Sequence, residues 1–480
     1  MSPDPGGLAR NNNQNLSPEG IRLVMNLREM IDTERMRPIQ WVIVGICVFL
    51  NGLDGYDVAA MSFTATRVQN EFGLSGSELG VVISATLIGM AFGSLIMGYL
   101  ADRIGRRPTI LISVAMSTVG MYLASVAPSV LVLGVVRVLT GIGVGGILAC
   151  VTVITSEYSS RRWRGLSIGL YTAGYGIGAT VGGLVAVALQ DQYGWRSIFL
   201  VGAVVSTAGL IALFFLLPES VDFLTTKRPA NLQARLEGIA RRLQMPKEAA
   251  AASLQMADDQ RRTNANSKSG PGIGRLFHPT VRRSTLLIWA AFFLTIFGFY
   301  FVNSWTPRLL VNAGMTADQG VTVGIGLALG GAIGSVLYGL LAARFAKERL
   351  LLVFLLLSAA AVVIFVFSAA TIAIAFLLGG VVGLLVNGCV AGLYTVTPSL
   401  YTGEVRATGV GMALGIGRAG AILAPVMAGV LLDAGWTTVQ LYLGVAAVLL
   451  LAAVAVFFIR PQQREPGTTD TPIVTGVEVR

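Results

Sequence analysis

Charge is scarce in this sequence. Of 480 residues, 12% are Asp, Glu, Lys or Arg and 54% are hydrophobic, whereas a water-soluble domain carries about 25% charge. So few charges cannot cover a water-facing surface, and an integral membrane protein is expected. Histidine is nearly missing. His278 is the single one, in a polar stretch, which excludes chemistry built on clustered histidines and leaves no expected metal site. The three cysteines, Cys47, Cys150 and Cys389, lie in separate apolar runs. Their spacing suggests no disulfide framework, and they read as small buried hydrophobes. No nucleophile–base set lies within the apolar runs, so an enzyme is not indicated and no cofactor is expected. No signal peptide is expected either: residues 1–38 are polar and Asn-rich, and the first apolar run begins near Trp41.

What is present is a series of apolar runs. A span needs about 20 mostly apolar residues, and about twelve are found: roughly 39–63, 77–101, 108–126, 129–154, 165–189, 196–217, 284–306, 321–343, 349–368, 371–399, 408–432 and 437–459. A polar stretch, 218–283, divides them into six and six. With both termini on the cytoplasmic side, 30 of the 35 Lys and Arg fall there, three fall outside (Arg67, Arg196, Arg308) and two, Arg137 and Arg418, fall inside spans. This bias predicts a multi-pass protein of the cell membrane with cytoplasmic termini. It also accounts for the basic balance without nucleic acid, since anionic cytoplasmic lipid attracts the same charges. The 58 glycines suit helices that approach closely in a bilayer.

The two sets of six repeat each other. Residues 98–107 read GYLADRIGRR and residues 339–348 read GLLAARFAKE, an offset of 241. Gly165 set on Gly409, each opening a Gly-rich helix, gives an offset of 244. The expected architecture is all-α: two pseudo-symmetric six-helix bundles, 39–217 and 284–459, with a site at the midplane between them. A tail (1–38), a central loop (218–283) and a second tail (460–480) flank and join them. The segment LSPEGIRLVMNLREMI is expected to form a short surface helix. In the central loop, RPANLQARLEGIARRLQMPKEAAAASL reads as amphipathic helix, with disorder from about Asp258 to Gly274.

Several motifs carry a family resemblance over roughly residues 30–460. GYLADRIGRR is similar to the loop signature of the major facilitator superfamily. The stretches DGYD in span one, RVLTGIGVGG in span four, LPESVDFL closing span six and GEVRATGVGMALGIGRAGAILAP across spans ten and eleven resemble the aromatic acid:proton symporter family. The resemblance implies a major facilitator fold and proton-coupled uptake of a small aromatic carboxylate by alternating access. The partners would be the acid, protons and the lipid bilayer, and the functional unit a monomer. Drug antiporters of the superfamily have a Gly-Pro pair in span five, which this chain lacks.

Within DGYD, Asp54 and Asp57 lie in a stretch otherwise fit for lipid. A buried ionised carboxylate costs at least ~2.5–3.5 kcal/mol. Three residues apart, they share one helix face, about 4.5 Å apart along the axis. Like charges so close discourage simultaneous ionisation, as does burial, so one can hold a proton near neutral pH. Asp57 and Arg137 lie at nearly equal depth, seven or eight residues (about 11 Å) from the outer end of their spans, which predicts an ion pair. Asp54 is deeper and has no evident partner. Arg418, near the midplane of span eleven, finds no acid of equal depth in the second half, so a substrate carboxylate could neutralise it in bidentate geometry. Hydrogen bonds to a neighbouring helix would serve the same end. Tyr175, Phe299, Tyr300, Asn303, Asn387 and Tyr394 are candidates for ring contacts. Trp305, near a span end, is a weaker one.

Gating is expected of the loop charges Asp102, Arg103 and Arg106 (with Arg107), of Glu157 and Arg164, and of Glu404 and Arg406. The resemblance implies that such charges latch the two halves in the outward-facing state. In the second-half copy Ala343 replaces Asp102 and Glu348 replaces Arg107, which weakens a matching latch there. Other readings stay open, among them a transporter of another organic anion. A sugar porter would share Asp57 and Arg137 but has no use for Asp54. A non-transporting membrane sensor would need a larger extra domain than the central loop.

Overall fold

The computed structural model describes residues 25–227, 231–264, 276–368, 371–401 and 403–459, without the side chains of 256–264, 279–281, 368 and 403–407. Among the described residues there is no strand. Helix α1 (Leu27–Thr33) precedes six long helices: α2 (Pro38–Phe72), α3 (Gly76–Ile104), α4 (Arg106–Ser125), α5 (Val130–Glu157), α6 (Arg164–Tyr193) and α7 (Arg196–Leu216). Three shorter helices follow, α8 (Val221–Lys227), α9 (Leu232–Arg242) and α10 (Lys247–Asn264). The second long set is α11 (Pro279–Asn312), α12 (Ala317–Ala342), α13 (Lys347–Ser368), α14 (Ile372–Val396), α15 (Gly403–Asp433) and α16 (Thr438–Phe457). Twelve of these helices are long and apolar enough to cross a membrane.

Packing repeats across the two sets. Helix α2 lies on α6 as α11 lies on α15; α3 on α5 as α12 on α14; α4 on α7 as α13 on α16. The halves meet along α3–α15, α6–α12 and α2–α11. The helix starts on the face opposite the termini, here the distal face, are sharply set by sequence. Ser75 with Glu78, Thr316 with Gln319 and Thr437 with Gln440 form capping boxes, each satisfying otherwise orphaned N–H groups. Helix α2 ends at Gly73 in the left-handed region (φ 63°), a conformation glycine adopts without penalty.

Two expectations need correction. Of the segment 16–31 expected as a short surface helix, residues 16–24 lie outside the described residues and helix begins at Leu27; its apolar side (Leu27, Met30, Ile31) is buried, and the Leu27 N–H donates to Ser253 Oγ on α10 at 2.9 Å. The amphipathic central helices cover it, so its apolar face is shielded from water. The disorder expected from Asp258 does not begin there, since α10 continues to Asn264. Its run Ala249–Ala252 consists of the strongest helix former and carries the helix onward. Residues 265–274 and the tail from Arg460 lie outside the described residues.

Close approach at glycine fixes where the first-span acids stand. A Cβ on Gly55 would lie 2.0 Å from the Tyr175 carbonyl oxygen, and one on Gly178 would lie 1.8 Å from that of Gly52. Backbone contact of α2 and α6 is thus possible only without side chains there. It brings Asp54 beside Tyr171 and Tyr175. Replacing Gly55 by Ala should therefore lower thermal stability in detergent by about 1–3 kcal/mol, the usual cost of overpacking. Gly45→Ala, where nothing lies within 4 Å of an added Cβ, should leave it unchanged.

Candidate functional site

Asp57 on α2 and Arg137 on α5 form a buried ion pair, Nη1 to Oδ1 at 2.5 Å. Arg137 Nη2 also donates to the Asp57 carbonyl at 3.0 Å, and its guanidinium stands 5.4 Å from the centre of the Phe199 ring on α7. Both residues are fully buried. All of these groups belong to the first half. At this depth a second hydrogen bond beyond the charge contact matters, because an isolated buried ion pair barely recovers its desolvation cost.

Asp54, one turn earlier, is 3% exposed. Its buried Oδ1 has no hydrogen-bond partner. Its opposing charge comes from the second half: Arg418 of α15 is the cation acting on it. Arg418 in turn lies among Tyr175, Tyr300 and Tyr394. It remains half-buried, and Tyr394 is 51% exposed with its ring edge-on to Phe292. Tyr175, Phe299 and Tyr300 form an aromatic chain, with ring centres 6.4 and 5.0 Å apart. The structure therefore gathers Asp54, Tyr175, Phe299, Tyr300, Tyr394 and Arg418 at the junction of the halves. This can hold an anion against a guanidinium within an aromatic wall.

Asn303 belongs to the same wall but is partly engaged. Its Nδ2 donates to the Phe299 carbonyl at 2.8 Å. It borders a narrow crevice between the halves shared with Phe63, Tyr175, Thr306 and Leu327. Asn387 donates to the Gly383 carbonyl and packs against Gly331, so it braces α14 on α12. Trp305 is fully buried and donates to the Pro425 carbonyl at 3.2 Å, an internal brace of the second half.

Above this centre the distal face is closed. Ser62 Oγ donates to the carbonyls of Asn303 and Ser304 (2.9 and 2.8 Å) and Ser84 Oγ to that of Ile422 (2.8 Å). Asp433 accepts from the N–H groups of Gly76 and Ser77 at 2.7 and 2.8 Å. It thus completes the start of α3 from the other half. Arg67 pairs with Asp191 and lies 3.7 Å from Asp318 across the seam. Sequence reasoning missed Asp433, although a signal existed. An acid ending a helix opposes the helix dipole, so it needs a partner elsewhere.

On the opposite face the gating candidates with described side chains engage partners within the first half. Glu157 is buried, 3.8 Å from Arg106, and accepts from Ser220 Oγ at 2.9 Å. Arg164 pairs with Asp32 of α1, and not with Glu157. Arg103 stacks on Tyr99. Glu219 of the LPES motif accepts from the N–H groups of Arg106 and Arg107, and so caps α4. Gly105, at φ 109°, makes the room: a Cβ there would lie 2.4 Å from the Glu219 carboxylate. All of these contacts stay within the first half and its attached helices, so in this conformation they do not join the halves. Among the described residues Asp102 forms no ion pair, and the side chains of Glu404 and Arg406 lie outside them.

Residues 44–331 and 320–475 match the family model described as Major Facilitator Superfamily. The chain is 30% identical over 434 residues to the 4-hydroxybenzoate transporter of Pseudomonas aeruginosa, covering 90% of this chain and 95% of that one. It is 31% identical to the gallate transporter of Pseudomonas putida, covering 86% and 90%. Among solved structures it is similar to the xylose transporter of E. coli in a partially occluded inward-open conformation. That match has a TM-score of 0.68 and 19% identity, covering 89% and 99%.

The buried pair sets a stability test. Arg137→Gln leaves the Asp57 charge uncompensated and should cost about 3–5 kcal/mol. Combining it with Asp57→Asn should recover most of that loss, as read by thermal unfolding of the purified protein.

Proposed function

Because the chain belongs to the Major Facilitator Superfamily and, within it, to the aromatic acid:proton symporter family, we propose that it imports a small aromatic carboxylate together with a proton. It would do so across the cell membrane, with both termini cytoplasmic. The observation that carries this reading is Arg418. It is a half-buried guanidinium at the junction of the halves, ringed by tyrosines, whose acidic neighbour Asp54 stands on the opposite half. A planar carboxylate on a ring matches both features, by paired hydrogen bonds to the guanidinium and by aromatic contact. A neutral sugar offers the guanidinium no planar carboxylate for paired hydrogen bonds. 4-Hydroxybenzoate and gallate, which name the two relatives above, are acids of the proposed kind.

The conformation supports a cycle of alternating access. The distal seam is shut by contacts between halves, while the described polar contacts of the other face leave the halves unjoined. With the termini cytoplasmic, this is an inward-facing state. Transport would require breaking the distal contacts of Asp433, Arg67 and Ser62 and forming others on the terminal face. Asp102, Arg103, Arg106, Glu157, Arg164, Glu404 and Arg406 are the proposed gating residues there. Asp54, Asp57 and Arg137 would serve proton coupling. Arg418, Tyr175, Phe299, Tyr300, Asn303 and Tyr394 would face the substrate, with Asn387 bracing α14 beside them, the protein acting as a monomer.

Uptake of radiolabelled 4-hydroxybenzoate into proteoliposomes tests this. An inside-alkaline gradient should drive accumulation, a protonophore should abolish it, and excess xylose should not compete. Asp54→Asn and Arg418→Gln should each lower the rate more than about tenfold, equivalent to ~1.4 kcal/mol. Accumulation that ignores the gradient or survives Asp54→Asn overturns the reading.

A further inference from the structure

The crevice between the halves is apolar almost throughout. Phe63 of α2, Ala179 of α6, Val302 of α11 and Leu327 of α12 wall it, and besides Tyr175 only Asn303 and Thr306 bring polar side chains to it. Its volume is about 20 Å³, room for one water or one group of that size. From Phe301 to Pro307, Asn303 is the one residue that is not buried. Its Nδ2 is taken by the Phe299 carbonyl at 2.8 Å, and among the described residues nothing donates to its Oδ1. Thr306 Oγ1 accepts from the Tyr442 hydroxyl at 2.8 Å, and no described bond uses its own proton. Three residues apart on α11, the two share a helix face. They offer one acceptor and one donor at the end of a greasy slot.

A hydroxyl group answers both at once, donating to Asn303 Oδ1 and accepting from Thr306 Oγ1. We infer that this crevice is the socket for a hydroxyl on the far end of the substrate ring, and that Asn303 and Thr306 set a preference for para-hydroxylated acids. This rests on the carrier function proposed above, with the carboxylate on Arg418.

Depth selects the para position. Helices α11 and α15 run parallel. Gly417 and Gly420 pack on Phe292, Phe293 and Ile296, which sets Arg418 level with that stretch. Asn303 stands about 12 Å closer to the distal face by helix rise. The rings of Tyr175 and Phe299, with centres 6.4 Å apart, lie between. A benzoate on Arg418 covers this span with a para substituent and a hydrogen bond at each end. A meta hydroxyl points instead at the apolar wall. A methyl group at the para position fills the slot but strands the Asn303 oxygen away from water. An unmet buried acceptor discriminates between ligands more strongly than a small difference in size.

Calorimetric binding of a benzoate panel to the purified protein tests this, with proteoliposome uptake of the same acids alongside. 4-Hydroxybenzoate should bind at least about tenfold more tightly than 4-methylbenzoate or 3-hydroxybenzoate. 4-Methoxybenzoate, too long for the slot, should bind more weakly than 4-methylbenzoate. Asn303→Leu should erase the preference by weakening 4-hydroxybenzoate while leaving 4-methylbenzoate within about twofold, and Thr306→Val should reduce it. Equal binding of the hydroxyl and methyl acids by the unaltered protein, a comparison that needs no variant to fold, overturns the assignment. So does an Asn303→Leu protein that weakens both acids alike. If benzoates are taken up with no preference at the para position, the carrier reading stands and the socket alone falls. If no benzoate binds or is taken up, the carrier reading fails and takes the socket with it.

Discussion

A charge in hydrocarbon must bring its compensation with it, and here the important variable is which body supplies the compensation. Arg137 answers Asp57 from within the same six-helix unit, with two hydrogen bonds and an aromatic face. That arrangement suits a brace: it ties α2 to α5 and stays intact while the unit moves. Arg418 stands across the junction from Asp54, whose buried Oδ1, like Asp57 Oδ2, has no hydrogen-bond partner. Two identical side chains one helical turn apart thus have their opposing charge on different halves. Backbone packing at Gly52, Gly55 and Gly178 presses α2 onto α6 and fixes where both acids stand.

The two faces of the protein are secured differently. The distal face is closed by interactions between halves, chiefly hydroxyl and carboxylate groups bonded to backbone. The opposite face is organised within the first half. Glu219 caps α4, Glu157 meets Arg106 and Ser220, and α1 is pinned between Arg164 and α10. The first half therefore carries a plate of short helices that the described residues of the second half lack. Rocking, as proposed, would move a plain bundle against a reinforced one.

Much of this was legible in the sequence. Twelve apolar runs, their division into six and six and the internal repeat gave the fold, because burial in lipid leaves the chain few alternatives. The ion pair of Asp57 and Arg137 could be read from depth alone, since rise per residue fixes level in a straight helix. Depth does not fix azimuth, and this limited the rest. Tyr175 and Tyr300 reach the centre, whereas Asn387 and Trp305 on comparable stretches brace helices internally. Nor could spacing foretell that Arg164 would choose Asp32, more than a hundred residues away, over the nearby Glu157. That choice depends on where α1 docks, which depends in turn on the apolar faces of the central helices. The motif LPES was readable as a family mark, but its capping role required the turn at Gly105.

The carboxylate of Asp433 at the start of α3 bears on how the distal lip behaves once parted. A helix whose first N–H groups are served by another body loses that service when the body withdraws. Ser75 still holds the Glu78 N–H, so the helix would not unravel beyond its first turn. The freed groups of Gly76 and Ser77 would instead turn to solvent, and Asp433 with them. Parting the lip therefore hydrates polar backbone on the rim of the pathway and leaves the greasy outer surfaces of both bundles as they were. The mouth created in this way is lined by exposed amides beside a free anion, a rim that water wets readily.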